Sequence, residues 1–466
     1  MARIGSTARS TVVWVAGSLA VVLLAVYVLL DVKGAVPGLL TDEPAPPAAE
    51  PYPGVALPGA RPAAAAVEVL DPAAPAPTAE GVSGVVERLV DDPDRPGDVA
   101  VRVVDSADGE VLVERDPTAA LQTASSAKIL TGAAALSVLG PQTRFTTSVV
   151  PAGDGLLVLV GGGDVLLAEG EGDPTATRGH AGIADLADQV SAELEQAGTT
   201  EVRLAVDDSQ FTGEPYADDV TGWDRTFTMA ATTVAVNTGA VDGAYTADPA
   251  MGALETLADA LTERGVTASV EGRATAPDDA TAIATTESAP VDQIVRTMLQ
   301  DSDNAIADVL SRMVALAAGL PGDASSGGQA VVDAVGALGV DTTGTVMIDG
   351  AGLSITDSTT VTALTDLVAL GLDPSAADLA GLPPSLPTSG LDGTLSDRLA
   401  GEAAGRVQAK TGTLVRSVSL TGTVLTADER LLTFSVVLHS FDEGGAWAAR
   451  QSMDTFVAEL AACGCS

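Results

Sequence analysis

Cysteine, histidine, lysine, asparagine and aromatic residues are all scarce in this 466-residue chain, and each shortage closes off a class of answer. Two cysteines (Cys463, Cys465) and two widely separated histidines (His180, His439) cannot supply a structural zinc site, and neither a metal nor a cofactor is expected. A Cys463–Cys465 disulfide would suit an oxidising compartment, but C-x-C closes a very short, strained ring. Aromatics make up 3% of a chain that is 46% hydrophobic, so the core has to be Ala, Val and Leu. The 23 basic residues face 63 acidic ones, and a net charge of −40 excludes a nucleic-acid binder, which needs a basic footprint. That acidity keeps the chain soluble by self-repulsion and says nothing of its reaction.

Among the basic residues, arginine dominates. Lysine occurs as Lys33, Lys128 and Lys410, and asparagine as Asn237 and Asn304. A motif that demands either residue is therefore rarely matched by accident.

The N-terminus sets the compartment. Residues 11–30, TVVWVAGSLAVVLLAVYVLL, are uncharged and mostly apolar, and roughly 20 residues suffice for a helix to cross the hydrocarbon core. Arg3 and Arg9 precede the run, so the positive-inside rule leaves the N-terminus in the cytoplasm and exports the rest. The sequence favours an uncleaved membrane anchor; the alternative is a signal peptide and a secreted protein, but no clear A-x-A pair follows the run directly. The next stretch, to about residue 80, is rich in Pro and Ala and reads as an extended spacer.

The folded part shows alternating apolar runs at 98–105 and 110–115 around an Asp-Gly turn, an antiparallel pair. Thr123-Ala-Ser-Ser-Ala-Lys-Ile-Leu130 then opens an Ala/Leu-rich helix that Gly140 ends. Ser125 and Lys128, three apart, share one face of that helix. A serine hydroxyl becomes a nucleophile when an adjacent base takes its proton, and a desolvated lysine is such a base. Taken alone, S-x-x-K reads more simply as a helix cap beside a solvated lysine. Ser302-Asp303-Asn304 precedes an apolar helical stretch, and Lys410-Thr411-Gly412-Thr413 leads into a β-rich run at 414–425 that pairs with 431–438.

S-x-x-K, S-D-N and K-T-G in this order match the signature of penicillin-binding proteins and class A β-lactamases. The chain thus resembles the penicillin-recognising serine peptidases. The long separation of Ser125 from Ser302 resembles the D-alanyl-D-alanine carboxypeptidase/endopeptidase group, the low-molecular-mass class C penicillin-binding proteins, which carry an extra domain there. Leu159-Val-Gly-Gly-Gly-Asp164, Val206-Asp-Asp-Ser-Gln-Phe211, Gly222-Trp223, Asp349-Gly-Ala-Gly-Leu-Ser354 and Gly390-Leu-Asp-Gly-Thr394 extend the resemblance from about Val85 to the C-terminus. The chain departs from the group in a shorter insertion and in Thr123, where members often carry proline. A class A β-lactamase would need Glu-x-x-Leu-Asn, which neither Asn237 nor Asn304 completes, and a Tyr-x-Asn motif is absent as well. No G-x-S-x-G elbow supports an α/β-hydrolase.

The resemblance implies an α/β (α+β) fold: a β-lactamase/transpeptidase-like domain, with an antiparallel sheet flanked by helices, interrupted by an inserted domain. The expected layout is residues 1–33 as N-terminus and anchor, 34–81 as linker, 82–150 and 290–466 as the peptidase domain, and 151–289 as the insertion. It further implies attack by Ser125 on the bond between two D-alanines of peptidoglycan stem peptides, Lys128 as proton acceptor, Ser302 as relay to the leaving amine, and inhibition by β-lactams. Asn304 would bind the substrate amide and steady Lys128. Lys410, Thr411, Gly412 and Thr413 would hold the terminal carboxylate, with the Ser125 and Thr413 amides as oxyanion hole. Asp303 is expected to be structural, and Arg416 either aids the carboxylate or lies at the surface. Gly161–Gly163 are read as a tight exit into the insertion, His180 and His439 as structural, and Trp223 as packing. Two other classes stay open: an idle peptidoglycan-binding module, and a serine esterase or amidase.

Overall fold

The computed structural model describes residues 23–28 and 74–464. Residues 23–28 form a helical run with exposed side chains; the remainder of the apolar 11–30 segment and the spacer up to residue 73 lie outside the described residues. Among the described residues no helix is long and apolar enough to cross a membrane. Cys463 is disulfide-bonded, and Cys465 lies outside the described residues.

The body formed by residues 74–464 opens with a helix to which the sequence reading assigned no role, α1 (Ala79–Asp91). Thr78 caps it by accepting from the Gly81 amide, and Val82, Val85, Val86 and Leu89 recur at helical spacing on its buried face. The hairpin follows as expected, β1 (Asp98–Asp105) and β2 (Val111–Arg115), with Gly109 at φ 78° in the turn. The motif helix is not one α-helix. A 3-10 turn, Ala124–Ala127, leads into α2 (Lys128–Ala134), whose seven residues are all buried, and then into a π-turn, Ala135–Leu139, which Gly140 ends. The tight first turn follows from Ala124, which takes φ 49°, a left-handed conformation that an α-helical start would not admit.

A second lobe then forms from β3 (Thr146–Pro151), β4 (Leu156–Val160), α3 (Ile183–Ala197), β5 (Glu201–Asp207), α4 (Pro249–Glu263), β6 (Thr267–Arg273) and β7 (Ala284–Glu287). Its sheet runs β6-β5-β4-β3-β7, parallel between β6, β5 and β4 and antiparallel beyond. Leu186, Val190, Leu254 and Leu257 of α3 and α4 pack with Leu159, Leu204 and Val206 of this sheet. Asp248 caps α4 by accepting from the Met251 amide, and Pro249 opens it.

The chain returns through α5 (Val291–Asp301), α6 (Asn304–Ala317), α7 (Ala324–Ala337) and α8 (Val361–Leu372), which surround α2. Ile129, Leu130, Met298, Leu310, Val331 and Leu364 belong to this one cluster, whose buried members are aliphatic apart from Phe145, Met298 and Met347, in keeping with the shortage of aromatics. Three strands follow: β8 (Val407–Thr413), β9 (Ser417–Leu425) and β10 (Leu431–His439), and then α9 (Ala446–Ala461). The main sheet is antiparallel throughout in the order β8-β9-β10-β1-β2. K-T-G therefore ends a strand of its own instead of leading into one: Leu414 to Arg416 make a turn, closed by the Leu414 amide on the Ser417 carbonyl, and Lys410 pairs with Thr421.

Alternation assigns the two faces of this sheet. Val99, Val101, Val103, Val407 and Ala409 meet α1 and α9, while Ala100 and Val437 meet Val361 of α8. The architecture matches the expected mixed fold, with an antiparallel sheet flanked by helices.

Candidate active site

Lys128 lies at the start of α2 with no exposed surface, yet no carboxylate lies within ion-pair reach of it: among the described residues every ion pair is made by arginine. Its Nζ instead donates to three neutral oxygens from three segments: Ser125 Oγ at 3.0 Å, Asn304 Oδ1 at 2.6 Å and the Ala351 carbonyl at 2.7 Å. Burial lowers its pKa to about 8, against the opposing pull of Asp349, Asp303 and Asp357. Ser125 itself is partly exposed, one turn away from the buried amine.

Ser302 and Asn304 flank the junction of α5 and α6. Ser302 takes φ 57° as it ends α5, and Asp303 caps α6 by accepting from the Ile306 amide at 3.0 Å. Asn304 is thereby fixed in the first turn, with its Oδ1 on Lys128 and its Nδ2 donating to the Phe227 carbonyl at 2.8 Å. Each left-handed non-glycine residue costs about 1–2 kcal/mol, and the two here, Ala124 and Ser302, both adjoin or belong to the motifs.

The third motif comes from β8. Lys410 is also fully buried; its Nζ donates to Ser302 Oγ at 3.0 Å and to the Thr411 carbonyl at 2.8 Å. Burial first, then the Lys128 and Arg398 charges, hold its pKa well below the usual lysine range. Gly412 has to be glycine, because a Cβ there would stand 2.2 Å from Ser419 Oγ and 2.4 Å from the Thr123 carbonyl. That close approach seats β8 against the first turn of the motif helix, where Ser126 Oγ bonds Ser419 Oγ at 2.8 Å. Thr411 Oγ1 bonds Thr394 Oγ1 at 2.8 Å, and Thr413 is exposed at the strand end.

Side-chain bonds thus join Ser125, Lys128 and Asn304 in one set and Ser302 and Lys410 in a second, with Thr411, Gly412 and Thr413 on the strand of the second. The structure adds groups that sequence reasoning did not assign. The Asp349 carboxylate accepts from the amides of Ala351, Gly352, Leu353 and Ser354 at 2.6, 2.6, 3.1 and 2.7 Å, shaping the loop that offers the Ala351 carbonyl to Lys128. Burial, then the neighbouring Asp349, push Asp357 up to about 9, so it is a neutral acid beneath this loop at pH 7. The D-G-x-G-L-S string was the available signal, since an Asx-type turn is written in it. Arg178, from a polar loop of the second lobe, donates to Asp303 at 2.7 Å and Asp301 at 3.1 Å. No local pattern marked it.

The remaining candidates fall outside the cluster. Cβ atoms on Gly161 and Gly162 would collide with Thr233 and with the Thr146 carbonyl, so these glycines serve close backbone packing. His180 bonds Arg144 and the Ala176 carbonyl, and His439 bonds Ser440. Arg416 donates to the Phe441 carbonyl at 3.0 Å. Trp223, expected to pack, is 74% exposed and meets Phe227 edge-on. Among the described residues no group of His, Cys, Asp and Glu could hold a metal ion.

Comparison with known proteins bears on this geometry. The D-Ala-D-Ala carboxypeptidase 3 (S13) family model matches residues 82–246 and 238–460. Carboxypeptidase DacB of Mycolicibacterium smegmatis is 34% identical over 91% of each chain. A D-alanyl-D-alanine carboxypeptidase of Actinomadura is 30% identical, covering 81% of this chain and 84% of that one. The crystal structure of penicillin binding protein 4 (dacB) from Haemophilus influenzae superposes with a TM-score of 0.62 at 19% identity, covering 81% of this chain and 98% of that chain, which shows the shared fold.

Arg178 acts through Asp303, and its charge has a readout of its own. In Arg178→Gln the Asp303 carboxylate is left uncompensated near Lys128 and favours its charged form. The low-pH limb of covalent labelling by a fluorescent penicillin should then move up by a few tenths to about one pH unit. Arg178→Lys, which keeps the charge, should restore it. A slower rate at every pH with the limb unmoved would mean that Arg178 only braces the fold.

Proposed function

Because the chain belongs to the D-Ala-D-Ala carboxypeptidase 3 (S13) family, we propose that Ser125 is its acylated nucleophile and Lys128 the base that takes the serine proton. The enzyme is a serine peptidase that cleaves between the terminal D-alanines of peptidoglycan stem peptides. The observation that carries the assignment is the 3.0 Å contact between Ser125 Oγ and a buried amine whose pKa is about 8. With that pKa roughly a tenth of Lys128 is neutral at pH 7, and the fraction rises as the pH passes 8. A neutral lysine can accept the hydroxyl proton as Oγ attacks the scissile carbonyl.

The other roles follow from position. The Ser125 and Thr413 amides would hold the developing oxyanion, whose charge exists only in the transition state. As the C–N bond breaks, Ser302 would pass a proton to the departing amine and draw on Lys410, whose Nζ is 3.0 Å away. Thr411, Thr413 and Lys410 would bind the substrate carboxylate, and Gly412 would let the strand lie close enough to do so. Asn304, holding Lys128 through Oδ1, would present its amide to the peptide. Water then hydrolyses the ester and frees Ser125.

We also read residues 82–150 and 290–466 as the peptidase domain and 151–289 as an insertion; the support is the second sheet, whose first strand, β3, crosses the boundary at Thr146–Pro151 and whose last, β7, ends at Glu287. The apolar 11–30 segment behind two arginines supports an extracytoplasmic enzyme tethered to the membrane. Deleting residues 1–33 and supplying a cleavable signal peptide should move the activity from the membrane fraction to the soluble exported fraction; activity that stays with the membrane would contradict the tether.

Labelling with a fluorescent penicillin tests the nucleophile. The full chain should be tagged covalently, Ser125→Ala should not, and Lys128→Ala should be tagged about 100-fold or more slowly. A tag that survives in Ser125→Ala would rule out the assignment. No tagging of a chain that still binds peptidoglycan would favour the idle binding module, and turnover of simple esters without release of D-alanine would favour an esterase.

A further inference from the structure

The second lobe holds a cavity of about 520 Å³ that the reaction as described does not use. Such a volume falls within the range of small-molecule sites and exceeds what one amino acid fills. Val236, Val241 and Pro249 give it an apolar wall, and Glu169, Arg178 and Asn237 supply its polar groups. Asn237 is one of the chain's two asparagines, the one outside the three motifs.

Three features suit this cavity to a ligand. The first is a strained backbone: Asn237, Thr238 and Gly239 run consecutively at φ 46°, 55° and 66°, a left-handed turn in which the β-branched Thr238 is out of place. Strain of this kind persists only where the surroundings impose it, and it gathers at ligand clamps. Here the turn is packed so tightly that a Cβ on Gly239 would stand 2.7 Å from the Pro249 ring.

The second feature is Gly252, the fourth residue of α4, which also lines the cavity. A helix disfavours glycine, yet a Cβ there would meet nothing within 4 Å. Neither packing nor backbone calls for glycine at this position, and its effect is to leave the space open. The third is unused bonding capacity. Arg178 bonds Asp303 and Asp301 through Nη2 alone, so among the described residues its Nε and Nη1 have no acceptor. The Glu169 carboxylate and the Asn237 amide are exposed and make no bond to the described residues either.

These groups define the ligand by its chemistry. Free guanidinium donors call for a carboxylate, Glu169 for an amine, Asn237 for a peptide group and the wall for methyl groups. A short peptide with a free carboxylate and a free amine carries all four. Stem peptides have that character, with alanine methyls, carboxylates and the side-chain amine of a diamino acid. Untrimmed stems are consumed at Ser125, so the stem that remains for a site without chemistry is the trimmed one.

We propose that this cavity is a second, non-catalytic binding site for the trimmed stem peptide, held by its carboxylate on Arg178 and its amine on Glu169; the choice of the stem as ligand rests on the peptidase reading of Ser125. Through Asp303 the site borders the α5–α6 junction, while no motif residue lines it.

The test titrates a synthetic tetrapeptide stem, ending in a single D-alanine, into the full chain after its reacting site has been filled with penicillin. Calorimetry should show one peptide bound per chain. Gly252→Trp, which puts an indole into the open space, should weaken binding at least tenfold, and Glu169→Gln or a C-terminal carboxamide on the peptide should each weaken it about tenfold. Penicillin labelling of Gly252→Trp shows that it folds; if it does not, Glu169→Gln, an exposed change, decides. No binding to the filled chain, unaltered binding in either folded variant, or equal affinity for inorganic phosphate or free D-alanine would each overturn the assignment. Failure of penicillin to label the unaltered chain would instead remove the nucleophile, and peptide binding abolished by Gly252→Trp would still establish the second site.

Discussion

Two lysine ammonium groups are buried in this protein with no carboxylate against either of them. Placing a charge in a low-dielectric interior costs several kcal/mol even after relaxation, and three neutral oxygens repay only part of that for Lys128. The rest of the cost is relieved when the proton leaves, which is why the pKa falls to about 8. The same burial that strains the fold therefore supplies a base at physiological pH. Lys410, bonded to Ser302, is buried as well, and there the Lys128 and Arg398 charges add to burial in lowering its pKa.

Holding that arrangement accounts for much of the surrounding structure. Its oxygens come from the first turn of the motif helix, from the α5–α6 junction and from the Asp349 loop, so all three have to be rigid. Gly412 lets β8 close on the helix, and Gly352 does the same for the loop: with φ 75°, a Cβ there would stand 2.2 Å from the Ala124 carbonyl. The second lobe braces the far side. Phe227 holds Asn304 through its carbonyl, Arg178 holds Asp303, and Asp219 accepts from Ser354 at 2.6 Å. The second lobe thus holds Asn304, Asp303 and the Asp349 loop at three points.

Much of this was legible in the sequence, for reasons that can be named. Lysine and asparagine are so rare here that Lys128, Asn304 and Lys410 stood out, and the ordered motifs named the cluster before any geometry was available. Alternation around the Asp-Gly turn also placed the hairpin. What escaped was set by backbone and tertiary context. Ala124 takes φ 49° at the head of a 3-10 turn, and nothing in an Ala-Ser-Ser-Ala run announces that. The strand status of Lys410 to Thr413 depends on pairing with residues of β9, and its Gly-Thr content masked it. Arg178 and the Ala351 carbonyl reach the site from distant positions, and a backbone carbonyl has no sequence signature. Trp223 was expected to pack, yet it stands exposed on a short 3-10 turn.

The central claim is that Lys128 is a lysine with a pKa near 8, and the scarcity of lysine makes it directly measurable. In protein labelled with carbon-13 at lysine Cε, three side chains give signals, assigned with Lys128→Met and Lys410→Met variants. The account predicts that the Lys128 resonance titrates near pH 8 and that Lys410 titrates well below 10.5. Titration of Lys128 near 10.5, as for a solvated lysine, would contradict it.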